Sequence, residues 1–334
     1  MIRDRRDKQV ERIGHKRLVK KFQEEQAAGR RRRIWTRTIL VIGVTVALVW
    51  LFARYRVPVD SWVESIVDWL TDYLGGFFDF ISTVVSWMTN SLEKAFLWPS
   101  PLVMAGILGI IGWGARGFVF GAFSFIGFAL VQSMLLWNAA MSTLSLVLVA
   151  AVIAVILGLP LGILAARNQV VSGLVRPILD FMQTMPAFVY LIPAIIFFGI
   201  GSVPGVISTV IFAMPPAVRL TELGIRQVDK EVVEAAEAFG ATGFKVLRSI
   251  QLPLAMPTIM AGVNQVIMLA LSMVVMAGIV GAGGLGAVVY RGVMRLDVGL
   301  GFQGGLAVVL LAIYLDRLTA ALSGGKTGDR AGTA

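Results

Sequence analysis

Long apolar runs separated by short polar connections constrain this chain more than any other feature. Several runs reach the length of about 17 to 25 residues that a helix needs to cross a bilayer core. Eight runs occur, over residues 34–52, 102–113, 118–136, 139–166, 178–200, 203–218, 258–280 and 302–321. They lack the apolar–polar alternation of membrane barrel strands. The sequence therefore predicts an all-α integral membrane protein with about eight transmembrane helices.

The first 33 residues form a basic arm that contributes +8 of the net charge of +10. Such an arm can bind nucleic acid, but this one directly precedes an apolar run, so the positive-inside rule favours a cytoplasmic flank and a retained anchor. We expect contact with anionic lipid at residues 1–33 and no nucleic-acid partner. Because salt screens this attraction, a further hypothesis is that the arm senses ionic strength.

Residues 34–136 are predicted to form an N-terminal scaffold of the anchor, an amphipathic segment and two further spans. The amphipathic segment, residues 57–98, combines tryptophans at helical spacing with several acids, which favours a position along the outer membrane interface. An even number of crossings places both termini, including the tail 322–334, in the cytoplasm. Most basic connections agree with this orientation, whereas Arg291 and Arg295 do not.

Several kinds of chemistry are missing from the sequence. Residues 137–166 and 257–290 contain no Asp, Glu, Lys, Arg or His, which weakens a proton-coupled mechanism but leaves sodium coupling open. The chain has no cysteine and a single histidine, His15, so thiol catalysis, histidine triads and cysteine metal sites are excluded. The glycines of 281–286 and the Gly325-Lys326-Thr327 sequence imitate nucleotide-binding motifs without the strand that such motifs require. We expect no catalytic residue, metal or cofactor on this chain.

The polar connection 219–253 has well-defined local signals. Asp229 is a predicted N-cap, Glu231 lies in the first helical turn, and Gly240 follows the helix at the C′ position. A second short helix is predicted after Gly240, with Phe244, Leu247 and Ile250 as its apolar set, and Leu252-Pro253 is predicted to end the loop and return the chain to the bilayer. Periodicity alone leaves open whether this helical pair docks against another protein or rests on lipid headgroups.

The same connection resembles the EAA loop of permease subunits in binding-protein-dependent ABC importers. The residues that carry the resemblance, in both type and spacing, are Glu234, Ala235, Ala236, Gly240, Ile250, Leu252 and Pro253. Further segments are similar to the glycine betaine/proline betaine branch of that family: 180–193, 198–205, 219–228, 256–265, 269–275 and 295–299. The resemblance implies that the loop couples this chain to a separate ATPase subunit.

The resemblance also implies an architecture and partners. It implies a five-helix type I permease core within residues 137–321, with loop 219–253 as the coupling element. The expected assembly contains a second permease copy, giving a homodimer, two ATPase subunits that bind ATP and Mg²⁺, and an extracytoplasmic binding protein. The chain is expected to be a non-enzymatic, multi-pass protein of the bacterial inner membrane that imports glycine betaine or a related osmoprotectant.

Four aromatic residues are candidates for the translocation path, because a quaternary ammonium group is attracted to aromatic faces. They are Phe188, Tyr190, Phe197 and Phe198. Aromatic residues at helical spacing also pack helices together, and that alternative stays open. Two other functions are considered: a sodium-coupled secondary carrier for betaine-type solutes, and a scaffold protein without transport activity.

Overall fold

The structure is a computed structural model that describes residues 35, 37–50, 54 and 59–322. The basic arm 1–33 and the tail beyond residue 322 lie outside the described residues, as do the predictions made for them. The chain divides into two compact units, Met1–Leu70 and Thr71–Ala334. Within the first unit, the structure describes an apolar helix α1, Arg37–Trp50, where the anchor is predicted. The second unit contains the end of the next helix, Val59–Leu97, and all the helices that follow it.

The described part of the chain is helical, with no strand among its residues, which confirms the all-α prediction. After α1, the helices are α2 (Val59–Leu97), α3 (Pro101–Arg116), α4 (Phe118–Ser133), α5 (Trp137–Arg167), α6 (Gln169–Thr184), α7 (Leu191–Phe198), α8 (Ser202–Arg226), α9 (Lys230–Ala238), α10 (Gly243–Val246), α11 (Leu252–Ala277), α12 (Gly284–Met294) and α13 (Val298–Leu322). Short 3₁₀ turns at Ala187–Tyr190 and Gly278–Val280 join some of them.

The described helices provide four to six candidate membrane spans, fewer than the eight apolar runs of the sequence. Four are α5, α8, the continuous helical stretch Gly243–Val280 and α13. Two bent helix pairs, one of α2 with α3 and one of α6 with α7, raise the number to six if each pair forms one span. The run 178–200 is bent by 110° between α6 and α7. Met185 is extended there because Pro186 disfavours a helical conformation in the residue before it.

Close helix contacts in the second unit depend on small residues. A Cβ atom at Gly162 of α5 would lie 2.6 Å from the Cβ of Thr221 in α8, and one at Gly158 would lie 2.7 Å from that of Ala217. Such contacts let the helix backbones approach closely, as is common in membrane proteins. The glycines of α5 therefore serve helix packing.

Helix α2 covers residues 59–97 of the segment predicted to be amphipathic, and its second half packs against other helices. Val85 and Thr89 are buried. Met88, Leu92 and Phe96 pack against the main hydrophobic cluster, which includes α5, α8 and α11. Packing against other helices offsets the polar character of this segment, and a sequence period cannot show which apolar face will find a protein partner.

Candidate functional site

Helix α9 forms the first half of the predicted coupling element, and both of its ends follow the sequence signals. The Asp229 carboxylate accepts a 3.0 Å hydrogen bond from the backbone N–H of Glu231, as expected of an N-cap. At the other end, Ala241 N–H donates to the Ala236 carbonyl at 3.1 Å, and Gly240 N–H donates to the Glu237 carbonyl at 2.9 Å. This pair of bonds is the Schellman motif, and Gly240 adopts its left-handed conformation with φ of +82°.

The second half of the element differs from the prediction. No helix end occurs at Leu252-Pro253, because the chain stays helical from Gly243 to Val280. A π-helical turn, Leu247–Gln251, joins α10 to α11, and Leu252 N–H donates to the Leu247 carbonyl. Pro253 lies in the first turn of α11, where a missing N–H is tolerated. Pro253 therefore lies inside a continuous helical stretch, just after the π-helical turn and at the start of α11.

The side chains of the EAA-like residues divide between an exposed and a packed group. Glu234, Ala235, Gly240 and Pro253 are exposed, whereas Ala236, Ile250 and Leu252 are partly buried. Leu252 packs against a small cluster that contains Ile225, Leu247 and Ala255. The structure thus fixes α10 and the start of α11 to the ends of α5 and α8.

Helix α9 has an exposed surface along its length, and none of its residues is buried. Val232 is 42% exposed and Phe239, directly after the helix, is 93% exposed. Phe244 at the start of α10 is also exposed, contrary to its prediction as a packing residue, and the buried residue of that turn is Val246. Lys245 and Arg248 are exposed. An exposed aromatic pair beside small residues provides an apolar surface suited to another protein.

A cavity of about 440 Å³ lies behind α9, between this helix and the ends of α5 and α8. Glu234 and Glu237 line it from α9, and Arg167, Arg226 and Lys230 supply positive charge around it. Glu234 therefore faces the rest of the chain and not only the surrounding medium. Within the described residues no group of three or more histidine or carboxylate side chains could hold a metal ion.

A buried polar cluster beside this cavity is absent from the sequence-based predictions. Glu222 of α8 is 3% exposed, and its Oε1 atom accepts hydrogen bonds from Ser172 at 2.7 Å and Arg176 at 2.9 Å and forms an ion pair with Arg226 at 3.1 Å. The prediction ended the span at residue 218 and treated 219–253 as a connection, whereas α8 continues to Arg226. The spacing of Arg219, Glu222 and Arg226, which matches one helical face, was the available signal.

The four aromatic candidates for the translocation path do not form one group. Phe197 stacks on Phe78 of α2 with ring centroids 4.7 Å apart, and Phe198 meets the same ring edge-on at 5.5 Å. Tyr190 is buried, contacts Phe212, and donates from its hydroxyl to the Met182 carbonyl. Phe188 is 47% exposed on the 3₁₀ turn. Phe197 and Phe198 thus pack helices together, which leaves Phe188 as the most accessible candidate.

The model of the family described as "Binding-protein-dependent transport system inner membrane component" matches residues 158–326, about half of the chain. This chain belongs to that family. It is a multi-pass permease component of the inner membrane, and a transport system of this kind requires a binding protein and an ATPase. Family membership assigns ATP hydrolysis to another subunit and argues against both the sodium-coupled carrier and the scaffold alternatives.

Three relatives show how closely the chain follows one branch of the permease family. It is 46% identical to the glycine betaine/proline betaine transport system permease protein ProW of Escherichia coli, over 81% of this chain and 77% of the relative. It is 48% identical to the glycine betaine/carnitine transport permease protein GbuB of Listeria monocytogenes, over 80% and 96%. It is 47% identical to the glycine betaine transport system permease protein OpuAB of Bacillus subtilis, over 79% and 94%.

The fold of the permease core also occurs in a solved transporter. A chain of the MetNI methionine ABC transporter, crystallised in an inward-facing conformation, matches with a TM-score of 0.54 and 22% identity. The match covers 57% of this chain and 96% of that chain. At this level of identity the similarity establishes the fold alone.

Proposed function

We propose that this chain is the permease subunit of an ATP-driven importer of glycine betaine or a related quaternary ammonium solute, with a role in osmoprotection. The observation that carries the substrate class is that glycine betaine is the one solute common to the names of the three relatives, each at least 46% identical. Proline betaine or carnitine accompanies it in two of these names.

The assembly we propose contains two copies of this chain, two ATPase subunits and an extracytoplasmic binding protein. In each copy, a five-helix core within residues 137–321 surrounds the path, and the N-terminal scaffold 34–136 precedes it in the chain. Both termini face the cytoplasm, and the basic arm 1–33 contacts anionic lipid. This orientation follows from the charge of the arm and places α9 on the ATPase side of the membrane.

Coupling between ATP hydrolysis and transport takes place at α9 and the following turn. Glu234, Ala235, Ala236 and Gly240 are proposed to enter a cleft on the ATPase, and Ile250 and Leu252 hold the loop on the core, with Pro253 at the start of α11. The exposure of Phe239 and Phe244 supports a docking role, because a large apolar side chain in water favours burial against a partner. ATP and Mg²⁺ act on the ATPase, whose closure moves the loop.

Within the core, the trimethylammonium group of the solute is attracted to aromatic faces. Phe188 is the residue we favour for this contact, because it is exposed while Phe197 and Phe198 pack against Phe78. Tyr190 supports the turn that carries Phe188. The path itself offers weak attraction, since tight binding would retard release.

Uptake of labelled glycine betaine into proteoliposomes tests the function. The chain is reconstituted with its cognate ATPase and binding protein, and uptake is compared with ATP, with ADP and with a sodium gradient alone. We expect uptake that requires ATP and the binding protein, with unlabelled proline betaine, carnitine, choline and proline as competitors that rank the solutes. Uptake driven by sodium without ATP, or no uptake of any solute of this class, would overturn the proposal.

A further inference from the structure

Helix α6 is attached to α8 by a row of polar contacts that we name the α6–α8 ladder. It consists of Ser172, Arg176 and Asp180 on α6 and Arg219, Glu222 and Arg226 on α8. The three α6 residues are spaced by four and share one helical face. Glu222 accepts from Ser172 and Arg176, and Arg219 pairs with Asp180. The two ends differ in environment: Glu222 is buried, whereas the Asp180 side chain is 66% exposed.

Apolar packing contributes little to the attachment of α6. The buried residues of this helix are Ser172 and Leu179, and one of these two is itself a member of the ladder. Polar contacts have defined partners and directions, and they are strengthened where water is excluded. The position of α6 relative to α8 is therefore set mainly by the ladder.

One end of the ladder lies next to the coupling helix. Arg226, the last residue of α8, forms an ion pair with Glu222 at 3.1 Å and donates a hydrogen bond to the Ala165 carbonyl of α5 at 2.8 Å. It also lines the cavity behind α9 together with Glu234. Between Arg226 and the N-cap Asp229 there are only Gln227 and Val228. A displacement of α9 must therefore act on the turn of α8 that holds Glu222 and Arg226.

The other end of α6 leads to the proposed solute path. The chain bends at Met185 and Pro186 into the 3₁₀ turn Ala187–Tyr190, which carries Phe188. The Tyr190 hydroxyl donates to the Met182 carbonyl in the last turn of α6. This bond ties the turn to α6, so that the turn follows when α6 moves.

We propose that the α6–α8 ladder transmits the displacement of α9 to the bend between α6 and α7, with Glu222 and Asp180 as positioning residues. The proposal rests on the proposed function, because it assumes that an ATPase moves α9. Binding energy at α9 is then linked to the shape of the path through a short set of defined contacts. Loss of a ladder contact should uncouple the two ends without blocking ATP hydrolysis.

The first test compares transport with ATP hydrolysis in the reconstituted complex. For Glu222→Gln and Asp180→Asn we expect betaine uptake to fall on the order of tenfold, a typical size for coupling between sites, with ATP hydrolysis within about twofold of the parent. Arg116→Gln, which removes an exposed cation at the end of α3, is the control and should change neither rate. A parallel loss of hydrolysis and uptake, or no loss of uptake, would overturn the proposal.

The exposed ion pair permits a rescue experiment that does not depend on the buried residue. Asp180→Arg should impair uptake because two cations then face each other, and the combination with Arg219→Asp should restore it. If Glu222→Gln fails to assemble, this pair decides the question. Failure of the double substitution to restore uptake in an assembled complex would count against the ladder.

A second readout follows the movement itself. The chain contains no cysteine, so single cysteines can be introduced at Ala238 beside the coupling surface and at Met185 in the bend. We expect a non-hydrolysable ATP analogue to change the thiol-labelling rates of both Ala238→Cys and Met185→Cys. In the Glu222→Gln background only the rate at position 238 should still change. If the analogue still changes the labelling rate at position 185 in that background, transmission through the ladder is refuted.

Failure of the inference can be distinguished from failure of the proposed function. If the parent complex shows no ATP-dependent betaine uptake, the proposed function is wrong. If the parent transports and the ladder variants keep full coupling, only the inference is wrong.

Discussion

The side-chain hydroxyl of Thr143 in α5 accepts a 2.7 Å hydrogen bond from the backbone N–H of Leu285 in α12. The same hydroxyl donates to the Ala139 carbonyl at 2.9 Å, so both of its hydrogen-bonding functions are used. Leu285 is the second residue of α12, where backbone N–H groups have no partner within the helix. A side chain from a distant helix therefore caps a helix that starts inside the protein.

Replacing Thr143 with valine should destabilise the protein by about 1–3 kcal/mol, because the buried N–H of Leu285 then loses its acceptor while the side-chain shape is kept. Thermal unfolding in detergent measures the change. Thr143→Ser, which keeps the hydroxyl, should lose much less stability. Equal losses for the two variants would show that packing, and not the cap, is the important interaction.

Gly162→Ala should destabilise the contact between α5 and α8 by about 1–3 kcal/mol through overpacking. The added Cβ would lie 2.6 Å from Thr221 Cβ and 2.7 Å from the Val218 carbonyl oxygen, and neither atom is at the end of a flexible side chain. Gly114→Ala is the matched control, since nothing lies within 4 Å of a Cβ there. The difference in unfolding temperature between the two variants measures the effect, and no difference would contradict the close approach of the two helices.

Gly240→Ala should lower the free energy of unfolding by about 1–2 kcal/mol, because a residue with a side chain is strained at a φ of +82°. The cost is conformational alone, since no atom lies within 4 Å of the added Cβ. We expect reduced uptake as the end of α9 shifts, with normal insertion into the membrane. Gly106→Ala also meets open space but lies within α3, and it should be neutral or slightly stabilising. A neutral result at both positions would contradict the left-handed turn.

Glu234→Gln should lower betaine uptake on the order of tenfold while the protein still inserts and assembles. Glu234 lines the cavity beside Arg167 and Arg226, so loss of its charge alters the surface that joins α9 to the core. Glu231→Gln is the control on the same helix, because that residue is exposed and does not line the cavity. Uptake and ATP hydrolysis are measured together, and normal uptake by the Glu234 variant would contradict a role in coupling.

Phe188→Ala should raise the KM for glycine betaine with little change in stability, because the ring is 47% exposed. Phe197→Ala should instead lower the stability with little change in KM, because its ring stacks on Phe78 at 4.7 Å and its loss leaves a packing defect. Initial uptake rates at varied solute concentration and thermal unfolding separate the two effects. If the Phe197 variant alone changes KM, the assignment of these residues is reversed.

The coupling element was predictable because its signals are local. Asp229, Glu231 and Gly240 each act on backbone groups within a few residues, so the start and end of α9 follow from sequence alone. The continuation of the chain through Leu252-Pro253 was not predictable in the same way. A π-helical turn before the proline keeps the helix continuous, and its formation accompanies packing of Leu247 and Leu252 against Ile225 and Ala255.

The number of candidate spans shows a similar limit. Apolar runs indicate which segments avoid water, but α3 and α4 have only 16 residues each, and Pro186 divides the run 178–200. The number of residues in a helix and the position of one proline determine whether such a run can cross the membrane as a single helix. The apolar composition of the run alone does not show this.

The sequence by itself determined the helical membrane class, the caps of α9 and the family resemblance, because these depend on composition, short-range spacing and matching residue types. Only the tertiary structure decided which residues separated along the chain come together. It brought Glu222 to Ser172 and Arg176, Thr143 to Leu285, and Phe197 to Phe78. The physical reason is that such contacts depend on how whole helices cross, and that is set by small residues and bends whose partners lie far away in the sequence.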